Sequence, residues 1–253
     1  MTTFTGSSDL QGATFNHVNL HGARIVGSDV SEMVMRGVDI AGTEIDAPWL
    51  VEGGDGQLLV NGVNVAPFVE AELNRRFPGR AERLASDPDG LRTAWASLER
   101  TWAATLDRVA ALSPEVVDIS VAGEWSFAQT LRHLILATDM WLGRAVLEIE
   151  QPFHPLALMD AGSAADGWDL SVFATDPPTY QAVLEARAGR VAMVREFLAE
   201  VTAEQLAAEH RNPHAPEYPE TTLSCLHTII EEEWEHHRYA VRDLDVIESG
   251  APL

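Results

Sequence analysis

The sequence predicts a mainly α-helical protein, a four-helix bundle preceded by a small β-solenoid and a hairpin. Four long segments after residue 86 repeat apolar residues at three- and four-residue intervals, and no strand pattern interrupts them, which indicates the bundle. Over residues 8–47 an apolar residue recurs at every fifth position, a period that fits neither helix nor strand and therefore indicates a solenoid. At 253 residues the chain is long for a single core, so we expect two unequal parts.

The first part, residues 1–60, begins with eight pentapeptides that each have an apolar centre. The centres are Leu10, Phe15, Leu20, Ile25, Val30, Met35, Ile40 and Ile45. The segment resembles the pentapeptide-repeat family, and this resemblance implies a square β-helix with four repeats per coil. About two coils are fewer than the three or so units that a solenoid needs for stability. We therefore expect a structural cap that depends on the rest of the chain.

A hairpin should follow the repeats and extend this part to about residue 66. Asn61-Gly62 separates two apolar runs between Leu58 and Val65, and this dipeptide strongly favours a two-residue hairpin turn. Residues 67–85 should then form a short helix, ending at about Arg76, and a polar linker.

The bundle should occupy residues 86–253. Ser86-Asp87-Pro88 is typical of a capped helix start, and the first long helix should run to about Leu112. Ser126 and Gln129 have the spacing of a capping box, which predicts a second helix continuing to about Leu147.

The third and fourth long helices are predicted in the same way. Asp176-Pro177-Pro178 should start the third, whose apolar face extends from Leu184 to Val201. Thr202 and Gln205 predict a short additional helix, and the last long helix should extend from Thr222 to about Asp245.

Two long connections separate these helices, Ile149 to Asp176 and the Pro-rich segment from Arg211 to Glu220. The first indicates a crossover topology. Loops of this length are uncommon unless they have a function, so we expect both to form walls of a pocket at one end of the bundle.

The last predicted helix contains the densest group of reactive side chains, EEEWEHHRYAVRDLD over residues 231–245. A spacing of four pairs Glu233 with His237 and Glu232 with His236. The first pair continues an apolar stripe, so we expect it to face the core, where a carboxylate and an imidazole must be paired or bind a metal. The stripe consists of Leu226, Ile230, Val241 and Leu244. A plain ion pair on a solvated helix is an alternative that this segment alone supports equally well.

His133 of the second helix is the third candidate ligand. Its face includes Leu136, Ala137 and Met140, and a lone histidine in such a position is more often a hydrogen-bonded core residue. The bundle can nevertheless bring this face against the last helix, where His133 would meet the inward pair. Two imidazoles and a carboxylate with open coordination positions are typical of catalytic zinc or another divalent transition metal.

Two segments resemble the DinB superfamily, the damage-inducible group that includes mycothiol-dependent maleylpyruvate isomerase and the bacillithiol- and mycothiol-dependent transferases. They are WSFAQTLRHLILATDMWLGRAV, residues 125–146, and EEEWEHHRYAVRDL, residues 231–244. The resemblance implies that a histidine of the second helix joins an H-x3-H or E-x3-H pair of the last, here His133, Glu233 and His237. Because a glutamate replaces the commoner histidine, the site is less selective for zinc, and nickel, manganese and iron are alternatives.

Other side chains are candidates for the surroundings of the metal. We expect His236 and Trp125 beside it and His154 and Arg238 at its mouth, whereas Glu232 should be solvated. A mycothiol-type cofactor carries carboxylate, and one of three arginines, Arg132, Arg238 or Arg242, would provide the local positive charge for it.

The resemblance implies a metal-dependent enzyme that binds a low-molecular-weight thiol of the mycothiol type as thiolate, for S-transfer or isomerisation of a small molecule. A non-catalytic metal-binding or interaction module is one alternative. A metal-dependent hydrolase with a metal-bound water as nucleophile is another. The resemblance also suggests a homodimer.

Composition argues against several other classes. With 17 basic and 39 acidic residues the formal net charge is -22, which disfavours nucleic acid and anionic membrane as partners. The single Cys225 cannot form an intramolecular disulfide, and we expect a small core residue rather than a nucleophile. The polar start MTTFTGSSDL has no signal-peptide pattern, so we expect a cytoplasmic protein.

Overall fold

The computed structural model describes residues 3–4, 6, 10–51, 56–159 and 169–250. Two compact units divide the chain between Asp46 and Ala47. The start of the first pentapeptide, Ser8-Asp9, and the middle of the predicted pocket loop, residues 160–168, lie outside the described residues. None of the described helices combines the length and the apolar character that a bilayer-spanning segment requires.

In the first unit the five-residue period is visible in the backbone, but no solenoid forms among its described residues. A left-handed residue recurs at every fifth position, at Gly12, His17, Gly22, Gly27, Glu32, Gly37 and Gly42. Residues 10–46 contain no strand, and the eight predicted centres are all exposed, from 42% at Leu10 to 63% at Ile25. The predicted solenoid is thus not found, because so few repeats enclose no interior in which the centres could be buried.

The predicted hairpin lies in the second unit, which begins at Ala47, whereas the sequence placed it in the first part. Strand β1 (Leu59–Val60) pairs antiparallel with β2 (Val63–Asn64). Asn61 and Gly62 have φ angles of 51° and 83°, as this two-residue turn requires, and the prediction is confirmed. Helix α1 (Ala66–Arg76) follows directly.

The mainly helical prediction is also confirmed. The long helices are α2 (Pro88–Ala110), α3 (Phe127–Thr138), α4 (Tyr180–Glu200) and α6 (Thr222–Ser249), with the short α5 (Ala203–Leu206) between the last two. The core lies between the long helices. Its fully buried members include Leu91, Leu98, Leu131, Leu134, Leu198, Leu226, Ile229, Ile230 and Trp234.

The helix starts follow local capping chemistry. The carboxylate of Asp87 caps α2, and Ser126 and Gln129 form both hydrogen bonds of the predicted capping box at the start of α3. Helix α4 begins later than predicted, because the hydroxyl of Thr179, rather than Asp176, accepts a hydrogen bond from its first turn.

Beyond Thr138, α3 continues as a π-helical segment over Asp139–Val146. Asp139 is buried and accepts a hydrogen bond from the Arg190 Nε of α4 at 2.5 Å. Its second oxygen accepts from the backbone N–H of His154 at 2.7 Å. These contacts join α3, α4 and the loop after the π-helical segment.

The Pro-rich connection before α6 is more ordered than the sequence predicts. Strand β3 (Glu209–Arg211) pairs antiparallel with β4 (Pro219–Thr221), which forms a second hairpin. The hydroxyl of Thr221, at the end of β4, caps the first turn of α6. The hairpin therefore leads directly into the helix that bears most of the candidate ligands.

A network of buried charges attaches the segment after α1 to α6. Arg80 contacts Glu70 at 2.8 Å and Glu235 at 3.5 Å, and its side chain is 2% exposed. Arg83 contacts both Glu70 and Glu231 at 2.8 Å. The segment predicted as a polar linker is therefore part of the folded unit.

Candidate metal centre

His133 of α3 and the residues Glu232 and His236 of α6 lie together. Their ligand atoms are all within 4.8 Å of one another, and no other set of His, Cys, Asp or Glu side chains in the described residues meets this condition. His133 Nε2 lies 3.3 Å from Glu232 Oε2, and the two imidazole centroids are 4.7 Å apart. Glu232 and His236 are one helical turn apart, so α6 presents both side chains to α3.

The contacts of the two imidazoles indicate which ring nitrogen of His236 carries the proton and which nitrogen of His133 contacts Glu232. His236 Nδ1 lies 2.9 Å from the backbone carbonyl oxygen of Glu232, which can only accept, so Nδ1 carries the proton. The lone pair of His236 is then on Nε2, and the protonated Nδ1 also lies 3.2 Å from Glu232 Oε2. His133 Nδ1 is buried and has no hydrogen-bond partner in the described part of the chain. The imidazole of His133 therefore makes its polar contact with Glu232 through Nε2.

The protonation states of Glu232 and His236 at neutral pH are also compatible with metal binding. Burial raises the pKa of Glu232, but the hydrogen bond with His133 and the neighbouring imidazoles outweigh this effect and hold the pKa below its usual value. Burial, together with His133, lowers the pKa of His236 to about 4. At neutral pH this glutamate is ionised and this histidine is neutral, which are the forms that bind a divalent metal.

Trp125 lies against both imidazoles. Its ring centroid is 4.6 Å from that of His133 and 6.1 Å from that of His236, the latter nearly parallel at 22°. Trp125 also lines a shallow cleft that continues along α6 past Ala240 and Leu244.

Glu233, a predicted ligand, faces the core as expected but belongs to a different site. It is 1% exposed and accepts hydrogen bonds at 2.5 Å from Arg187 of α4 to both carboxylate oxygens. Burial raises the pKa of Glu233, and the charge of Arg187 opposes this shift. The buried carboxylate is thus balanced by an arginine.

His237, the other predicted inward residue, is hydrogen-bonded to Thr105 of α2 at 2.8 Å. The Thr105 hydroxyl donates to the backbone carbonyl of Thr101, so it accepts from the Nε2–H of His237. The rings of Trp102 and Trp234 contact the imidazole edge-on, and burial lowers the pKa of His237 to about 4. His237 is a neutral core histidine.

The structure therefore does not bring the predicted set of His133, Glu233 and His237 together. The inward direction of the pair is as expected, but Glu233 pairs with Arg187 and His237 Nε2 pairs with Thr105, while His237 Nδ1 is buried without a hydrogen-bond partner in the described part of the chain. Glu232, which was expected to be solvated, is half-buried like His236, and both side chains face His133. We correct the candidate ligand set to His133, Glu232 and His236.

The two residues expected at the mouth have other contacts. His154 Nδ1 accepts a hydrogen bond from the backbone of Leu156 at 3.1 Å, and burial lowers the pKa of His154. Arg238 pairs with Glu235 at 2.8 Å. After burial and His133, the charge of Arg238 is a smaller cause of the lowered pKa of His236, so this arginine is near the cluster.

His214, which was not among the residues expected near the metal, lies in the loop between β3 and β4. The Asn212 side chain accepts hydrogen bonds from the backbone N–H groups of His214 and Ala215, which fixes the turn. The His214 ring is 5.7 Å from that of Trp141 in the π-helical segment. Burial raises the pKa of Glu232, and His214 is among the imidazoles that oppose this effect. The Asn-x-His turn just before the ligand-bearing helix was the available signal.

Comparison with known proteins gives one match. Residues 97–240, more than half of the chain, match the family model of the DinB superfamily, and this range includes His133, Glu232 and His236. The chain matches no curated protein and no solved structure.

Proposed function

This chain belongs to the DinB superfamily, a metal-binding family, and from that premise we propose a metal-dependent enzyme that uses a low-molecular-weight thiol of the mycothiol type for S-transfer or isomerisation. His133, Glu232 and His236 hold the divalent metal. The observation that carries the proposal is the convergence of these three side chains, from two helices distant in sequence, within 4.8 Å.

The donor set supports zinc first. Three protein ligands leave coordination positions open for a further ligand, as catalytic zinc sites do. The carboxylate of Glu232 makes the set harder than three imidazoles, so nickel, manganese and iron are alternatives. A bound divalent metal would supply the chemistry of lowering a thiol pKa, so that the thiolate is nucleophilic at neutral pH.

The protein supplies orientation around this centre. The carbonyl of Glu232 fixes the tautomer of His236, and the indole of Trp125 covers the two imidazoles on one side. The three side chains are half-buried, so the cluster is partly accessible to solvent.

Arg132 is the most suitable anchor for a carboxylate-bearing thiol. Arg132 precedes His133 in the sequence, and its side chain is half-buried. Its Nε donates a hydrogen bond to the Leu156 carbonyl at 2.8 Å, and no carboxylate in the described residues forms an ion pair with it. Burial lowers the pKa of Arg132, which reflects this lack of a compensating charge. By contrast Arg242 pairs with Glu124 and Asp243, and Arg238 pairs with Glu235.

The test incubates metal-replete protein with mycothiol or bacillithiol and the electrophile monochlorobimane, and follows the conjugate by fluorescence. We expect a rate above that of the thiol alone in the wild-type protein, and no such rate in Glu232→Gln. Arg132→Gln should raise the KM for the thiol more than it lowers kcat. Equal rates in wild type and Glu232→Gln, or no enzymatic rate with any thiol, would favour the non-catalytic metal-binding module.

A further inference from the structure

The two histidines of the candidate metal centre are oriented in different ways. The Nδ1–H of His236 donates to the backbone carbonyl of Glu232, and this bond orients the ring. Nδ1 of His133 is buried and has no hydrogen-bond partner in the described part of the chain. A histidine that binds a metal through one nitrogen ordinarily donates the N–H of the other to a carboxylate, a carbonyl or a water. Because His133 lacks this bond among the described residues, packing has to orient its ring.

Trp125 packs directly on the ring of His133. The two ring centroids are 4.6 Å apart at an interplanar angle of 40°. The His133 ring also contacts His236, and its Nε2 contacts Glu232, but both residues are candidate ligands and Nε2 is the atom that would bind the metal. Among the described aromatic contacts of His133, the one with Trp125 is therefore the contact from outside the ligand set.

The chain on both sides of Trp125 has a defined local structure. The tight turn of residues 121–124 has positive φ angles of 53° and 79° at its two central residues and is closed by a backbone hydrogen bond of 3.0 Å. The Glu124 carboxylate of this turn pairs with Arg242 of α6 at 2.6 Å. On the other side, Ser126 starts α3 with both hydrogen bonds of a capping box. Trp125 is thus attached to the two helices that carry the candidate ligands.

We propose that Trp125 is the positioning residue of His133, whose ring it orients by packing in place of a hydrogen bond to Nδ1. The inference rests on the proposed metal centre and adds a requirement that the three ligands alone do not have. Without the indole, the His133 side chain can rotate about its two torsions, and binding of the metal must then supply the lost order. Removal of Trp125 should therefore weaken metal binding although every ligand remains.

The experiment measures the zinc affinity of the full-length chain by competition with a chromogenic zinc chelator. Trp125→Ala removes the ring, and Trp125→Phe keeps an aromatic ring at the same position. Trp141→Ala is the matched control, because Trp141 is also half-buried and contacts a histidine outside the ligand set, His214, at 5.7 Å. Circular dichroism of the metal-free proteins checks that each variant is folded.

We expect Trp125→Ala to weaken zinc binding roughly tenfold to a hundredfold, as is usual when a metal-binding histidine loses the group that orients it. Trp125→Phe should recover most of this loss, and Trp141→Ala should remain within about threefold of the wild type. Wild-type affinity in Trp125→Ala would overturn the proposal and leave the metal centre intact. Equal losses in Trp125→Phe or in the Trp141 control would also overturn it. A wild type that binds no zinc would overturn the metal centre and this proposal together.

A second measurement uses the metal-free wild type and needs no variant at position 125. Nuclear magnetic resonance detects the imidazole protons of His133, which are assigned by their loss in His133→Asn. The ring current of an indole at 4.6 Å shifts these signals, and a ring with one orientation gives a single sharp set. We expect shifted, sharp signals. Signals at the positions of an unfolded histidine would overturn the proposal, whether or not Trp125→Ala folds.

Discussion

Glu232 and Glu233 are neighbours on α6 with different environments. Glu233 is fully buried and its charge is balanced by Arg187, whereas the half-buried Glu232 faces His133. Because a buried ion pair is sensitive to the loss of one partner, we expect Glu233 to stabilise the fold, whereas metal binding is our proposal for Glu232.

Glu233→Gln should therefore destabilise the protein. It leaves the buried guanidinium of Arg187 without its counter-charge, which should cost about 3 kcal/mol in the free energy of unfolding. Urea denaturation of the metal-free protein measures this cost. Glu232→Gln is the matched control and should change the same free energy by less than about 1 kcal/mol. Similar costs in the two variants would contradict this assignment.

The single cysteine allows a second test at the residue scale. Cys225 is 0% exposed, and burial, with a contribution from Glu220, raises its thiol pKa to about 12. The native thiol should thus react with Ellman's reagent at least roughly a thousandfold more slowly than the same thiol in denaturant, because little thiolate forms. A fast reaction of the native protein would show that the Cys225 thiol is accessible, and Cys225 would then be a candidate nucleophile.

At this scale the sequence could predict which way side chains point but not what they do there. The apolar stripe correctly placed Glu233 and His237 toward the core. What decides their role is Arg187 and Thr105, which lie on other helices and are remote in sequence. No local pattern on α6 indicates these partners.

Among the elements, the segment after α1 depends on charges that are buried against α6. Arg80→Met removes the central cation of this network while Glu70 keeps Arg83 and Glu235 keeps Arg238. We expect a loss of about 3 kcal/mol in the free energy of unfolding, the lower end of the range for a broken buried pair.

Arg75→Met is the control for this loss. Arg75 pairs with Glu72 on the surface, and its side chain is 71% exposed. Surface pairs of this kind contribute little, so chemical denaturation should give the wild-type midpoint. If both variants behave alike, the network does not attach this segment to α6.

The bundle helices could be predicted because their period and caps are local, as Asp87 and Ser126 show. The π-helical segment after Thr138 could not be predicted from the sequence. It coincides with buried Asp139, which contacts Arg190 and the backbone of His154, and these contacts depend on the tertiary fold. The hairpin of β3 and β4 was not predicted, because its residues belong to a Pro-rich stretch whose composition is typical of a loop.

At the scale of the whole molecule, the two units have separate sources of stability. The core clusters consist entirely of residues after Asp46, and the described residues 10–46 are all exposed. The five-residue period recurs in the left-handed positions of residues 10–46, but the solenoid that it predicted is not found among them. It could not predict a core, because burial depends on how many repeats stack rather than on the period.

Removing residues 1–46 should therefore leave the bundle intact. Because no core side chain is lost, we expect the melting temperature to change by less than about 2 °C. Thermal unfolding followed by circular dichroism at the helical signal measures it. A fall of more than roughly 5 °C would show that the repeats contribute to the stability of the bundle.

The most direct test of the metal centre is metal content per chain, measured by elemental analysis on protein purified without nickel resin and then equilibrated with zinc. Four variants form two matched pairs on α6, Glu232→Gln with Glu233→Gln and His236→Asn with His237→Asn, each measured at a temperature where it is folded. We expect one zinc per chain in the wild type, Glu233→Gln and His237→Asn, and almost none in Glu232→Gln and His236→Asn. Loss of zinc from the Glu233 and His237 variants, with zinc retained in the other two, would contradict this assignment.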